Sequence, residues 1–150
     1  MLASILMGLV AGQRAMTPLA AVAAAAARGE LRQEGAAGRL LGHPLVAAGA
    51  LALAAAEMGG DKLKSAPDRI VLPGLAARVA TATVAGAALA PRGERRMAAA
   101  LAVATALGAS WLGWRARLAA IERHGRVPTG FAEDALALGS AVAIIRAASR

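Results

Sequence analysis

The chain has 150 residues, a formal net charge of +8 and 58% hydrophobic content, but only 2% aromatic residues and no cysteine. Length gives a single domain over residues 1–150, and the hydrophobic content excludes disorder. Without cysteine there is no disulfide framework, thiolate nucleophile or Cys-ligated zinc site, and His43 with His124 are thin material for a metal or a general base.

One Phe and two Trp leave few large side chains for an aqueous core, and 45 alanines stand in their place. Each buries little area, at about 25 cal/mol per Å². In a bilayer the balance changes, because small residues let helices approach closely. The composition therefore predicts an all-α polytopic membrane bundle of four to five short, Ala-rich helices. The Lys and Arg residues sit in short clusters between apolar runs, as in membrane-protein loops. With stacking aromatics nearly absent, no nucleic-acid partner is expected.

Five apolar stretches follow in order: Leu2 to Ala27, Pro44 to Met58, Ile70 to Ala90, Met97 to Trp114, and Phe131 to Ile145. A span needs about 20 residues at about 1.5 Å each, so the second and fifth are short for one. Against a signal peptide, no basic residue precedes Leu2 and Arg14 falls inside the apolar run; the first stretch reads as a retained helix. Arg28-Gly29-Glu30 ends that stretch, and a Gly-rich loop runs to Gly42. Gly59-Gly60 weakens or ends the second helix, and Pro91-Arg92-Gly93 makes a tight connection. Pro128-Thr129-Gly130 precedes the fifth, with Thr129 as its expected N-cap.

Arg14, Thr17, Arg28, Gly29 and Glu30 recur 64 residues later as Arg78, Thr81, Arg92, Gly93 and Glu94. This is either a parallel duplication or a coincidence of an Ala-rich chain. Loop charges give no orientation. Trp111, Trp114 and Phe131 fall on one side, as interfacial aromatics do, unless they pack on the loop between. Gly8-x3-Gly12 is a small-x3-small pattern of the kind chance supplies here. Arg115 to His124 is expected to lie along headgroups as a basic, partly amphipathic segment.

The buried charges carry the functional reading. Arg14 lies about 18 Å along the helix from Leu2, near mid-bilayer, where a charge costs about 2.5–3.5 kcal/mol. Pro18 cannot donate to the Arg14 carbonyl, so a kink is expected there. Thr17 shares a face with Arg14, and together they form a polar notch. Arg78 with Thr81 repeats the pair, although snorkelling to the nearby loop also accounts for Arg78. Glu57 and Asp61 stack like charges at i,i+4 on a helix end that disfavours them. Lys62, Asp68 and Arg69 follow. Glu133 and Asp134 open the fifth helix, where complementing the helix dipole is the plain explanation. Arg14, Lys62 and Arg78 would then face Glu57, Asp61, Glu133 and Asp134, a set that nearly neutralises itself.

Gly12-Gln13-Arg14 with Pro18, Glu57-x3-Asp61-Lys62, Pro67-Asp68-Arg69, Arg78 and Glu133-Asp134 together resemble the bacterial membrane family called domain of unknown function 4126. The resemblance spans most of the chain, with the Asp-Lys and Glu-Asp elements its most specific parts. It implies several membrane helices in a bacterial inner membrane, and it brings no activity.

No nucleophile elbow, phosphate loop or dinucleotide fingerprint is present, so no enzyme and no cofactor is expected. The expected partners are the lipid bilayer, further copies of the chain, and a small ion or solute. The leading expectation is a transporter- or channel-like protein with an Arg/carboxylate site. The alternatives are an assembly protein whose charges only order the bundle, and a soluble helical bundle.

Overall fold

The computed structural model describes residues 1–31, 35–61 and 72–149, leaving aside the side chain of Ala36. All regular structure among them is helical. Seven α-helices run Leu2–Gln13 (α1), Met16–Ala27 (α2), Gly35–Leu41 (α3), Pro44–Gly60 (α4), Leu72–Ala88 (α5), Arg95–His124 (α6) and Arg126–Ala148 (α7), with a 3-10 turn at Arg92–Glu94.

The first apolar stretch is not one kinked helix. α1 stops at Gln13, Arg14 is extended (φ −137°, ψ 114°), and α2 starts at Met16. Pro18 sits in the first turn of α2, where its missing N–H is no loss. The two helices then run in opposite directions. Ser4 near the start of α1 donates to the Gly86 carbonyl of α5, and Leu31 just beyond α2 packs in one apolar cluster with Ala3, Met7 and Ala85. The segment is therefore a helical hairpin with Arg14 at its tip, each arm about 18 Å long. The proposed duplication does not extend to this backbone: position 82, where a second Pro18 would stand, is alanine, and α5 runs unbroken through Arg78 and Thr81.

Other boundaries moved for local reasons. The loop to Gly42 contains the short α3, and His43 Nδ1 accepts the Leu45 N–H to cap α4. Gly59-Gly60 stays helical, with Asp61 at the C-cap. α6 continues ten residues past Trp114, since nothing from Arg115 to His124 breaks a helix; Gly125, at φ +83°, does. α7 begins at Arg126, so Pro128-Thr129-Gly130 lies in its first turns. Thr129 is no cap; its hydroxyl donates to the Gly125 carbonyl.

α1, α5 and α6 pack closely because their contact faces lack side chains. A Cβ on Gly12 would stand 2.7 Å from the Ala106 carbonyl oxygen, and one on Gly86 would stand 2.6 Å from the Ala102 Cβ. Gly8 meets Ala102 and Thr105 in the same way, so Gly8-x3-Gly12 is a true packing face. α2 packs on α4 through Ala20, Ala23, Ala47, Ala50 and Ala54. α7 closes the bundle against both arms of the hairpin, through Ala137, Ala141, Ile144 and Ile145.

Small residues fill the interior, and many of the large apolar side chains lie outside. The interior is mainly alanine with Ser4, Arg14, Thr17, Arg78, Ser110, Arg117 and Asp134, whereas Leu2, Leu45, Leu72, Leu112, Phe131 and Leu136 are each more than 60% exposed. One described helical segment, Arg92–His124, is long and apolar enough to cross a membrane; α1, α2 and α4 are apolar but shorter.

Candidate functional site

The hairpin tip gathers most of the expected polar set. Arg14 is 1% exposed. Its Nη1 lies 2.7 Å from Asp61 Oδ2, at the C-cap of α4. Its Nη2 lies 2.6 Å from Asp134 Oδ1 and 3.8 Å from Glu133 Oε2, both on α7. The Asp134 approach falls outside hydrogen-bond angles, so that contact is ionic, and Arg14 Nε has no hydrogen-bond partner among the described residues. Glu133 and Asp134 are not first-turn acids offsetting a dipole. With α7 beginning at Arg126, they lie about 10–12 Å along it, facing the tip.

Arg117 completes the cluster and was not expected there. It is 5% exposed, with Nη2 2.8 Å from Asp61 Oδ2 and Nη1 paired with Glu133 Oε2. The expected headgroup-lying segment is thus the final third of α6, pointing its arginine inward. Spacing could have revealed this: Ala102, Ala106, Ala109, Gly113 and Arg117 follow a three-four rhythm, one helical stripe. Two arginines, each bridging Asp61 and Glu133, reduce the cost that either charge would carry alone in a low-dielectric interior.

The backbone at the tip is satisfied from outside the hairpin. Helix ends leave N–H groups and carbonyls without intrahelical partners. Glu57 does not clash with Asp61; its two carboxylate oxygens accept the Ala15 and Met16 N–H groups, each at 2.8 Å. An anion there also complements the positive end of the α2 dipole. At the end of α1, Arg78 Nε donates to the Gly12 carbonyl at 3.3 Å, placing a cation at the negative end. Arg78 is 4% exposed and does not snorkel. Gln13 Nε2 donates to the Ala109 carbonyl, pinning the turn to the middle of α6.

Thr17 lies beside this turn, 2% exposed, and its hydroxyl has no hydrogen-bond partner among the described residues. Thr81 is buried but bonds its own helix at the Arg78 carbonyl, so it is not a second Thr17. Lys62, Asp68 and Arg69 lie outside the described residues. Trp111 and Phe131 are exposed, and the Arg115 guanidinium lies 5.0 Å over the Trp111 ring. Trp114 is half-buried with its indole nitrogen inside, so two of the three aromatics face outward, and α6 leaves no loop for them to pack against.

The cluster adjoins open space. A cavity of about 670 Å³ near the α6–α7 junction is lined by Gln13, Arg117, Thr129 and Glu133 among apolar residues. A neighbouring groove of about 810 Å³ between α1, α6 and α7 also reaches Gln13 and Glu133. A third cavity, about 760 Å³, lies between α2, α4 and α7 with Thr17 in its wall. Chemically, the tip offers three carboxylates, two guanidiniums paired with them, and a buried hydroxyl beside them.

No protein-family model, curated protein or solved structure matches the chain.

Proposed function

We propose that the protein is a polytopic membrane protein with a re-entrant helical hairpin, acting as a small transporter or channel whose working site is the Arg14 cluster. The observation that carries this is a helical turn with a buried guanidinium at its tip, enclosed by a bundle that is alanine-rich with a few buried charges inside and leucine-rich outside. In water those exposed leucines would forgo the hydrophobic driving force. In lipid they satisfy the bilayer, where charges face the bundle interior.

Non-helical backbone is tolerated at membrane depth only where protein or a water-filled cavity surrounds it, and here Glu57 and Arg78 supply the missing partners. Broken helices of this kind, with ends aimed at charges, recur at transporter binding sites. Gln13 aligns the tip with Ala109, midway along the spanning α6, so the site falls near the bilayer centre. Membership of the family resembled in sequence, a bacterial inner membrane and assembly with further copies belong to the same reading.

The test is flux. The purified chain, reconstituted in liposomes, is assayed for protons, potassium, chloride and a panel of small solutes. An Arg14→Gln variant that keeps its helical content should change the wild-type flux about tenfold, the size of effect that about 1.4 kcal/mol brings. Unaltered flux in a folded variant removes the reading.

A second reading is favoured by the mutual pairing of Arg14 and Arg117 with Asp61 and Glu133: a network that only orders a bundle docking on other membrane proteins. It expects lowered stability or complex yield from the same variants, with no flux in any of them.

A further inference from the structure

α4 and α7 both pack against α2, and the groove of about 760 Å³ between the three has a distinct floor, rim and mouth. Buried Ala20, Ala54 and Ala141 make the floor, and exposed Leu51, Leu138 and Val142 make the rims. Exposed Arg28 and Arg146 stand at one end with Glu30, and Thr17 lies at the other. The helical rise from Thr17 to Arg28 is about 16 Å. One leaflet of hydrocarbon is about 15 Å deep. With the hairpin tip near the bilayer centre, the groove is one leaflet long and its arginines stand at headgroup level.

The charge at that level is one-sided. An adjoining hollow of about 560 Å³ shares Glu30 and Ser149 with the groove and adds Arg92 and Arg95. Four arginines and one carboxylate thus line the mouth, an excess of three positive charges. The C-terminal ends of α2 and α7 offset about one of these, at about half a charge each. Glu30 takes only the Nε and one Nη of Arg28, leaving the rest of that guanidinium to face outward. By contrast, the groove of about 810 Å³ between α1, α6 and α7 is lined by no Lys or Arg.

On the membrane reading above, we propose that the α2–α4–α7 groove is a binding site for an anionic phospholipid. An acyl chain lies along the alanine floor, and the phosphate sits between Arg28 and Arg146. Lipid tails are as apolar as the groove, so the chain by itself selects no particular lipid. Selection comes from the mouth, where guanidinium–phosphate hydrogen bonds are charge-assisted. Each Lys or Arg near an anionic membrane surface favours binding about fivefold. Glu30 competes with the phosphate for Arg28.

The experiment uses the full chain, which has no cysteine of its own. Leu51→Cys on the groove rim and Leu9→Cys in the arginine-free groove are each labelled with a small fluorophore. After reconstitution in bilayers, quenching by brominated phosphatidylglycerol is compared with quenching by brominated phosphatidylcholine. At position 51 the anionic lipid should be preferred about fivefold or more; at position 9 the two should quench alike. Arg28→Gln combined with Arg146→Gln, both at exposed sites, should abolish the preference at 51, and Glu30→Gln should raise it. Equal quenching at 51, the same preference at 9, or a preference that survives loss of both arginines overturns the lipid site and leaves the membrane reading standing. A folded chain quenched by neither lipid at either position overturns both.

Discussion

Glu57 and Arg78 grip the hairpin turn from its two sides: the carboxylate takes the first free N–H groups of α2, and the guanidinium takes a carbonyl from the last turn of α1. Neither neighbours the turn in sequence, so the reversal at Arg14 is held from α4 and α5. A hydrogen bond to a charged partner contributes about 1.5–3 kcal/mol. Glu57→Gln keeps the size of the side chain but loses the charge and one accepting oxygen. It should destabilise the protein by about 2 kcal/mol, read from denaturant unfolding in detergent; no change would mean the turn holds itself.

The glycines divide by environment. Gly12 and Gly86 leave no room for a Cβ, so Gly12→Ala and Gly86→Ala should each cost about 1–3 kcal/mol through overpacking. Gly108, inside α6, and Gly139, inside α7, face open space. Alanine there should stabilise by about 0.5–1 kcal/mol, because glycine loses more backbone freedom in a helix. Thermal unfolding of the four variants checks the division.

Arg117 and Arg123 share α6 but differ in surroundings, one buried between Asp61 and Glu133, the other exposed. Removing one member of a buried pair costs about 3–5 kcal/mol, and Arg117→Gln should fall in that range. Arg123→Gln should stay within about 0.5 kcal/mol, as ordinary surface changes do.

Beyond the end of α2, the hydrogen bond from Arg28 holds the Glu30 carboxyl below its ordinary value. A carboxyl lowered in the folded state adds stability above its unfolded value, and loses it as the pH falls through the folded one. The pair is solvent-exposed, so the effect is slight. Arg28→Gln should move the Glu30 titration midpoint upward, measured by side-chain carboxyl NMR.

Much of the site was legible in the sequence. An arginine deep in an apolar run must find acids, and Asp61, Glu133 and Asp134 do meet Arg14. The turn itself was only half legible. Pro18 announces that the Arg14 carbonyl loses a partner, but whether the chain bends or doubles back depends on Glu57, 41 residues from Met16. Arg117 was hidden by its neighbours: Arg115, Arg123 and His124 are exposed and give the segment a surface character that its inward stripe does not share. Glu133 and Asp134 read as first-turn acids only because α7 was expected to begin five residues late.

The central claim is that Arg14 is held inside the bundle by Asp134. A double-mutant cycle with Arg14→Met and Asp134→Leu, read by unfolding in lipid–detergent mixtures, measures that hold directly. The account predicts that each single variant is severely destabilised and that the double variant recovers about 1–3 kcal/mol of the summed loss, as contacting residues do. Losses that simply add would contradict it.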